Sequence, residues 1–101
     1  MYRQGDVMIV KCASVPKSVS SVKREAGRLV LAHGEVTGHA HAVVEQDAEM
    51  FTERDGVLYL RCPSGAAVKH EEHATVKLPP GTYRVTRQRQ FTAGMIQKVA
   101  D

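Results

Sequence analysis

The sequence predicts an all-β fold, a small barrel or sandwich of about eight short strands followed by a short C-terminal helix. Two observations support this prediction. The large apolar residues are mostly valine and leucine and tryptophan is absent, a composition that favours strands over helices. Turn signals also separate the apolar segments at intervals of roughly 8–12 residues, as in antiparallel sandwiches and barrels. The chain has 101 residues, enough for one modest core, and we expect a single domain over residues 1–101.

Turn residues divide the first half of the chain. A strand is predicted over residues 6–12, after a Gln-Gly turn, and residues 14–21 form a serine-rich loop. Ala26-Gly27 predicts a tight hairpin between residues 22–25 and 28–32. A connection bounded by glycines then leads to a strand over residues 39–45.

The second half continues the same pattern. Its predicted strands cover residues 50–53, 57–62, 66–69, 75–78 and 82–90. Arg-Asp-Gly at 54–56 is a strong hairpin signal, and Pro-Pro-Gly at 79–81 favours a turn because proline pre-sets φ and glycine permits positive φ. Only residues 92–100 repeat apolar side chains at helical spacing, which predicts the C-terminal helix.

Charge and hydropathy exclude several classes of protein. No apolar run approaches the roughly 20 residues that span a bilayer, and the first residues lack a signal-peptide core, so we expect a cytoplasmic protein. Free thiols are expected for Cys12 and Cys62. The net charge is +3, but residues 34–60 carry six acidic and one basic side chain. This acidic middle suits a cation better than a phosphate backbone.

Four of the five histidines lie in two close pairs, His39 with His41 and His70 with His73. Glutamates flank both pairs, and imidazole with carboxylate is the usual donor set for Zn, Ni, Mn or Fe. Alternation along a strand puts His39 and His41 on one face, about 6.5–7 Å apart at Cα, close enough to chelate one ion. All four are therefore predicted ligands of one divalent transition metal.

The second pair has a different spacing. Residues three apart face opposite sides of a regular strand, whereas a turn or bulge brings them together. One member of the pair then ligates and the other assists, or both ligate; of the two, His73 is favoured because it leads into the next strand. Alternatively, the His-Glu-Glu-His segment at 70–73 is only a polar connection between two strands and binds nothing. His33 stands apart from both pairs and is not expected to contribute.

Residues 34–45 resemble the first sequence motif of the cupin family, in which glycine precedes His-x-His and glutamate follows it, although the spacer after the glycine is one residue shorter here. Cupins are small β-barrels that bind one metal through these residues and a histidine of a second motif. The resemblance thus implies Glu45 beside the metal. Arg84 stands where the second motif has its histidine, so the remaining ligand has to come from His70 or His73.

The whole chain also resembles a group of small, uncharacterised bacterial and phage proteins. The features that carry this likeness include Gln-Gly-Asp-Val at 4–7, His-Glu-Glu-His at 70–73 and Leu-Pro-Pro-Gly-Thr-Tyr-Arg-Val at 78–85. The resemblance implies a compact intracellular domain and names no reaction.

The leading hypothesis is a metal-binding β-barrel, a cupin-like metalloenzyme that acts on a small molecule with Glu45 and Glu72 as catalytic carboxylates. The first alternative is a non-enzymatic module, in which a metal or the histidine cluster secures the fold or a self-association interface. The second alternative is an accessory protein that binds nucleic acid through basic and aromatic residues near the last strand: Lys77, Tyr83, Arg84, Arg87, Arg89 and Phe91. Free edge strands favour a homo-oligomer.

Overall fold

The computed structural model describes residues 1–34 and 36–88, which form ten strands and no helix. In chain order the strands are β1 (Tyr2–Gln4), β2 (Val7–Cys12), β3 (Ser20–Ser21), β4 (Leu29–His33), β5 (Ala40–Val43), β6 (Glu49–Thr52), β7 (Leu58–Cys62), β8 (Ala66–Val68), β9 (Val76–Leu78) and β10 (Gly81–Arg87). The predicted all-β class is confirmed. The helix predicted over residues 92–100 lies outside the described residues.

The strands form a large sheet and two small ones. The large sheet has the order β1-β2-β10-β7-β6-β3, and its neighbouring strands are antiparallel. The small sheets are the pairs β4-β5 and β8-β9. Because no sheet closes on itself in the described residues, the fold is a sandwich-like arrangement, and the barrel alternative is not adopted.

The core lies between the large sheet and the two small ones. β10 shows the alternation that this requires, since Tyr83 and Val85 are buried while Arg84 between them is exposed. Leu29 of β4 and Leu60 of β7 belong to the same buried cluster. Burial of such side chains stabilises a fold by roughly 1.5–3 kcal/mol each. The hydroxyl of Tyr83 stays satisfied because it donates to Pro79 O at 2.6 Å.

One backbone bridge joins the two small sheets. Ala42 of β5 and Lys69, just beyond β8, exchange two hydrogen bonds of 3.0 and 2.9 Å. Residues next to a bridged pair are neighbours across it. The bridge therefore brings His41 close to His70, although 29 positions separate them in the sequence.

Two strands were not predicted from the sequence. β1 pairs with β2 through a turn at Gly5, whose φ of +60° is easily adopted only by glycine. β3 lies inside the predicted serine-rich loop and forms because it pairs with β6. The predicted turn at Ala26-Gly27 is present, with φ of 53° and 82° at the two turn residues. The strand predicted over residues 22–25 does not form, because this segment contributes only the single bridge from Glu25 to Arg28.

Two further expectations concern cysteines and membranes. Cys12 and Cys62 are free thiols, as predicted, and burial raises the pKa of the Cys62 thiol. Within the described residues, no helix has the length and apolar character to cross a lipid bilayer.

Candidate metal centre

Four imidazole rings surround one cavity of about 290 Å³. The ring of His70 lies in the middle, with centroids 4.4 Å from His41, 4.6 Å from His73 and 5.6 Å from His39. His41 and His73 lie 5.8 Å apart. The cavity is lined by Asp6, Gly34, Val36, His39, His41, His70, Glu72, His73 and Arg87. The structure thus brings together all four histidines that were predicted as ligands.

β5 and the loop before it position the first pair. His41 lies within β5 and is 3% exposed, while Ala40 and Ala42 on the other face pack against Val30 of β4. This matches the predicted alternation. His39 lies just before the strand, in a connection closed by a 2.8 Å hydrogen bond from Gly34 N to His39 O.

A turn between β8 and β9 positions the second pair. Residues 71–73 form a bend, so the chain does not continue as a regular strand and His70 and His73 converge. Glu71 fixes the bend on β5, because its Oε1 accepts the backbone N–H of Ala40 at 3.0 Å. Backbone hydrogen bonds, that from Ala40 above all, lower the pKa of the Glu71 carboxyl, which stays ionised.

Gln4 at the end of β1 was not predicted as a site residue. Its side chain is buried, and its Nε2 donates to Val68 O and to Ala74 O, both at 2.9 Å. Its Oε1 lies 2.8 Å from His41 Nδ1. A single glutamine carries no spacing signal, and its backbone partners lie 64 and 70 positions away, so the sequence gives no means of finding it.

His41 is neutral in this environment. Burial lowers its pKa to about 4, and the neighbouring His70 contributes in the same direction. Metal binding requires a neutral imidazole with a free nitrogen lone pair. With Nδ1 directed at Gln4, the other nitrogen, Nε2, remains for a ligand.

Glu72 contacts two of the histidines. Its Oε2 lies 3.5 Å from His39 Nδ1, and its backbone N–H donates to His70 Nδ1 at 3.0 Å. A carboxylate beside the outer nitrogen of a histidine is typical of metal sites, where it orients the ring. Glu72, predicted as a catalytic carboxylate, is therefore placed to orient His39.

Two glycines allow the chain to approach the imidazoles closely. A Cβ on Gly5 would lie 2.9 Å from His73 Nε2 and 3.3 Å from His41 Cε1. A Cβ on Gly34 would lie 3.0 Å from His39 Cβ and 3.3 Å from His70 Nε2. A side chain at either position would therefore require a neighbouring imidazole to shift, and Gly5 also favours glycine because of its positive φ.

The other predicted site residues lie elsewhere. Glu45 does not reach the histidines, because β5 ends at Val43 and a turn closed by Ala48 N–H on Glu45 O follows. Its carboxylate instead accepts the backbone N–H of Ala67 at 3.1 Å. His33 is exposed and lies 3.3 Å from a Glu25 oxygen, apart from the cavity as expected. Glu35 lies outside the described residues.

Three possible ligand atoms lie close together around His39 and His70. One ligand atom each from His39, His70 and Glu71 lie within 4.8 Å of one another. Ligand atoms of a tetrahedral zinc ion are about 3.3 Å apart, given zinc–nitrogen distances near 2.05 Å. The same distances separate two bound imidazole centroids by roughly 5 Å, which resembles the ring spacings observed. His41 and His73 do not belong to the group of His39, His70 and Glu71.

A charged pair lines another wall of the cavity. Arg87 of β10 holds one oxygen of Asp6, with Nε at 3.1 Å and Nη2 at 3.0 Å from Oδ2. The pair joins the end of β10 to the β1–β2 turn, and Gln88 N–H donates to Asp6 O at 2.7 Å. The guanidinium group of Arg87 is thus already paired with the carboxylate of Asp6.

The described residues do not form the predicted basic and aromatic surface. Tyr83 is fully buried and Arg87 lines the cavity, whereas Arg84 is exposed on the outer face of the large sheet. Stacking on bases needs an accessible ring, which Tyr83 does not offer. Arg89 and Phe91 lie outside the described residues.

The chain matches a family of protein domains. Residues 3–88 match the family described as Domain of unknown function (DUF8820). The match spans every described strand except the first residue of β1. No curated protein and no solved structure matches the chain. The comparisons therefore give no link to cupins or to phage proteins.

Proposed function

The chain belongs to this family of domains of unknown function, and we propose that its histidine cavity binds one divalent transition-metal ion. The convergence of four imidazoles from two distant segments supports the proposal most strongly, with ring centroids 4.4–5.8 Å apart. Solvated histidines have no reason to gather in this way, since each like-charged ring would oppose protonation of the next. A metal ion bound by several neutral imidazoles would explain why the rings lie together.

We assign three nitrogen donors to His39, His41 and His70. The first two have the outer nitrogen near an acceptor, Glu72 or Gln4, which leaves Nε2 for the metal. His70 is the ring nearest to His41 and to His73. To bind through Nε2, His70 has to give up the bond from Glu72 N–H, which costs about 0.5–1.5 kcal/mol.

Three donors leave the metal open to water or a small molecule. The cavity of about 290 Å³ exceeds the roughly 30 Å³ that one water occupies. A bound divalent ion would lower the pKa of its water or polarise a carbonyl or phosphoryl oxygen. Glu72, whose side chain is 64% exposed at the cavity, is the carboxylate able to accept a proton there. We therefore propose metal-dependent chemistry on a small molecule.

The test is the metal content of protein purified without a histidine tag. We expect about one zinc, nickel, manganese or iron per chain, or calorimetric uptake of one of these ions by metal-free protein. The His33→Ala variant is the matched control, because it removes a histidine outside the cavity and should leave the stoichiometry unchanged. Protein that contains no metal and takes up none of the four ions would refute the proposal.

A purely structural metal is the second candidate. Backbone and side-chain hydrogen bonds already join the two histidine segments, through Ala42 with Lys69 and through Glu71 with Ala40. A site assembled by such bonds does not depend on metal for its formation. This observation favours an accessible functional metal over one that only secures the fold.

A further inference from the structure

Gln4 is a buried polar side chain whose whole amide group is engaged. It is 3% exposed, and its three contacts, at 2.8–2.9 Å, all lie within the range of good hydrogen bonds. Two of these contacts are backbone carbonyls, Val68 O and Ala74 O, and the third is His41 Nδ1.

The two carbonyls determine which way the amide faces. A carbonyl only accepts, so Val68 O and Ala74 O both require the NH₂ group of Gln4. The reversed amide would set its oxygen against two carbonyl oxygens and leave them unsatisfied. Oε1 therefore faces His41, and because Oε1 only accepts, His41 Nδ1 carries the hydrogen.

We infer that Gln4 is a positioning residue that holds His41 as the Nδ1–H tautomer and so makes Nε2 its metal-binding atom. A neutral imidazole has one protonated nitrogen, which means that fixing the hydrogen on Nδ1 frees the lone pair of Nε2. Metal-binding histidines commonly have their other nitrogen held by a carboxylate or a carbonyl. In this protein the side-chain amide of Gln4 holds Nδ1 of His41 in the same way.

The same side chain also connects the two histidine pairs. Val68 ends β8 and Ala74 follows the bend, so the two carbonyls lie on either side of the loop with His70 and His73. Gln4 thus fixes His41 with its oxygen and the ends of the second histidine segment with its nitrogen. The effect on metal affinity rests on the proposed function, whereas the tautomer does not, because it exists without metal.

Nitrogen NMR of ¹⁵N-histidine-labelled, metal-free protein tests the inference directly. Long-range couplings within the ring distinguish the two neutral tautomers, and we expect a protonated Nδ1 and a bare Nε2 for His41. In Gln4→Met, which keeps a side chain of similar length without an amide, we expect the Nε2–H tautomer to become populated. Zinc affinity in that variant should fall about 10–100-fold.

Tyr83→Phe is the matched control, because it also removes a hydrogen bond from a buried side chain to a backbone carbonyl, away from the cavity. It should lower the unfolding temperature without altering the His41 tautomer or zinc affinity. An Nε2–H tautomer for His41 in wild-type protein would overturn the inference, even if Gln4→Met does not fold. An unchanged tautomer in a folded Gln4→Met protein would also overturn it. The Nδ1–H tautomer in a protein that binds no metal would instead uphold the role of Gln4 and refute the proposed function.

Discussion

His41 ionises at a much lower pH than a free histidine because it is enclosed by the sandwich. Its pKa is lowered from 6.5 to about 4, mainly by burial. A residue of this kind remains an unprotonated ligand in weakly acidic solution, where free histidines are charged. Competition from protons for this nitrogen is therefore weak.

The same shift makes the stability of the metal-free protein depend on pH. The unfolded chain protonates His41 near pH 6.5 and the folded chain only near pH 4, so unfolding takes up a proton between these values. We expect this contribution to be complete above pH 6.5 and to fall as pH approaches 4. Its size is on the order of 2 kcal/mol, because solvent in the open cavity weakens the effect of burial. Urea unfolding across this range measures it.

The control is His41→Asn, which keeps an N–H donor near Nδ1 but cannot titrate. The difference in unfolding free energy between wild type and variant should shrink as pH falls through this window. A difference that is constant with pH would contradict the assigned pKa.

Substitution of single histidines ranks their roles. His39→Ala, His41→Ala and His70→Ala should each weaken zinc binding by more than the roughly 10–100-fold that follows loss of a residue that only orients a ligand. His73→Ala should have a smaller effect, and His33→Ala none. Competition with a chromogenic chelator measures these affinities. Equal losses in all five variants would indicate loss of the fold instead of a defined site.

The sequence allowed the types of the candidate ligands to be predicted better than the residues that each of them contacts. The paired histidines were found because metals select imidazole and carboxylate, which is visible in sequence. Glu45 was expected near the metal because of the cupin resemblance, whereas β5 ends at Val43 and the Glu45 carboxylate accepts the backbone N–H of Ala67. For the third ligand the sequence favoured His73, whereas the central ring is that of His70, since a bend replaces the regular strand.

At the scale of elements, the cavity depends on loops that approach β5 closely. Gly34 lies between β4 and β5 and leaves room for His39 and His70. Gly34→Ala should therefore displace these rings and weaken zinc binding roughly tenfold, while the unfolding free energy changes little. The measurement pairs zinc competition with urea unfolding.

Gly27→Ala provides the opposite control. Gly27 has a φ of +82° and nothing near its missing side chain, so alanine there adds strain without crowding. It should cost about 1–2 kcal/mol of unfolding free energy and leave zinc affinity unchanged. Equal zinc affinity in the Gly34→Ala protein and wild type would contradict the role given to this loop.

Turns were easier to predict than strand pairing. The turn at Ala26-Gly27 and the turn before β10 follow from the local backbone preferences of glycine and proline, which can be recognised in the sequence. β3 and the bridge from Ala42 to Lys69 arise from contacts between distant segments, and no local signal specifies them.

At the scale of the whole molecule, the cavity lies where the two small sheets meet the β1–β2 turn and the end of β10, which contribute Asp6 and Arg87. The cupin resemblance implied a closed barrel. In the described residues the histidines instead come together between sheets that do not close on themselves. Self-association through the edge strands of the large sheet, β1 and β3, stays a prediction.

Removal of metal should leave this fold intact. Three sets of hydrogen bonds join the histidine segments without an ion: Gln4 donates to Val68 O, Glu71 accepts from Ala40 N–H, and Ala42 exchanges two bonds with Lys69. We expect chelator-treated protein to keep its β circular dichroism and to unfold cooperatively. Free zinc at 100 times its Kd should raise the free energy of unfolding by about 2.7 kcal/mol. Unfolding on chelation would contradict this expectation and indicate a structural metal.

Anomalous diffraction from crystals grown with zinc shows where the protein binds the ion. We expect one peak per chain in the histidine cavity, about 2.0–2.1 Å from Nε2 of both His39 and His41, with His70 as the third nitrogen. Zinc held only by surface residues such as His33 and Glu25, with no peak in the cavity, would contradict the proposed metal site.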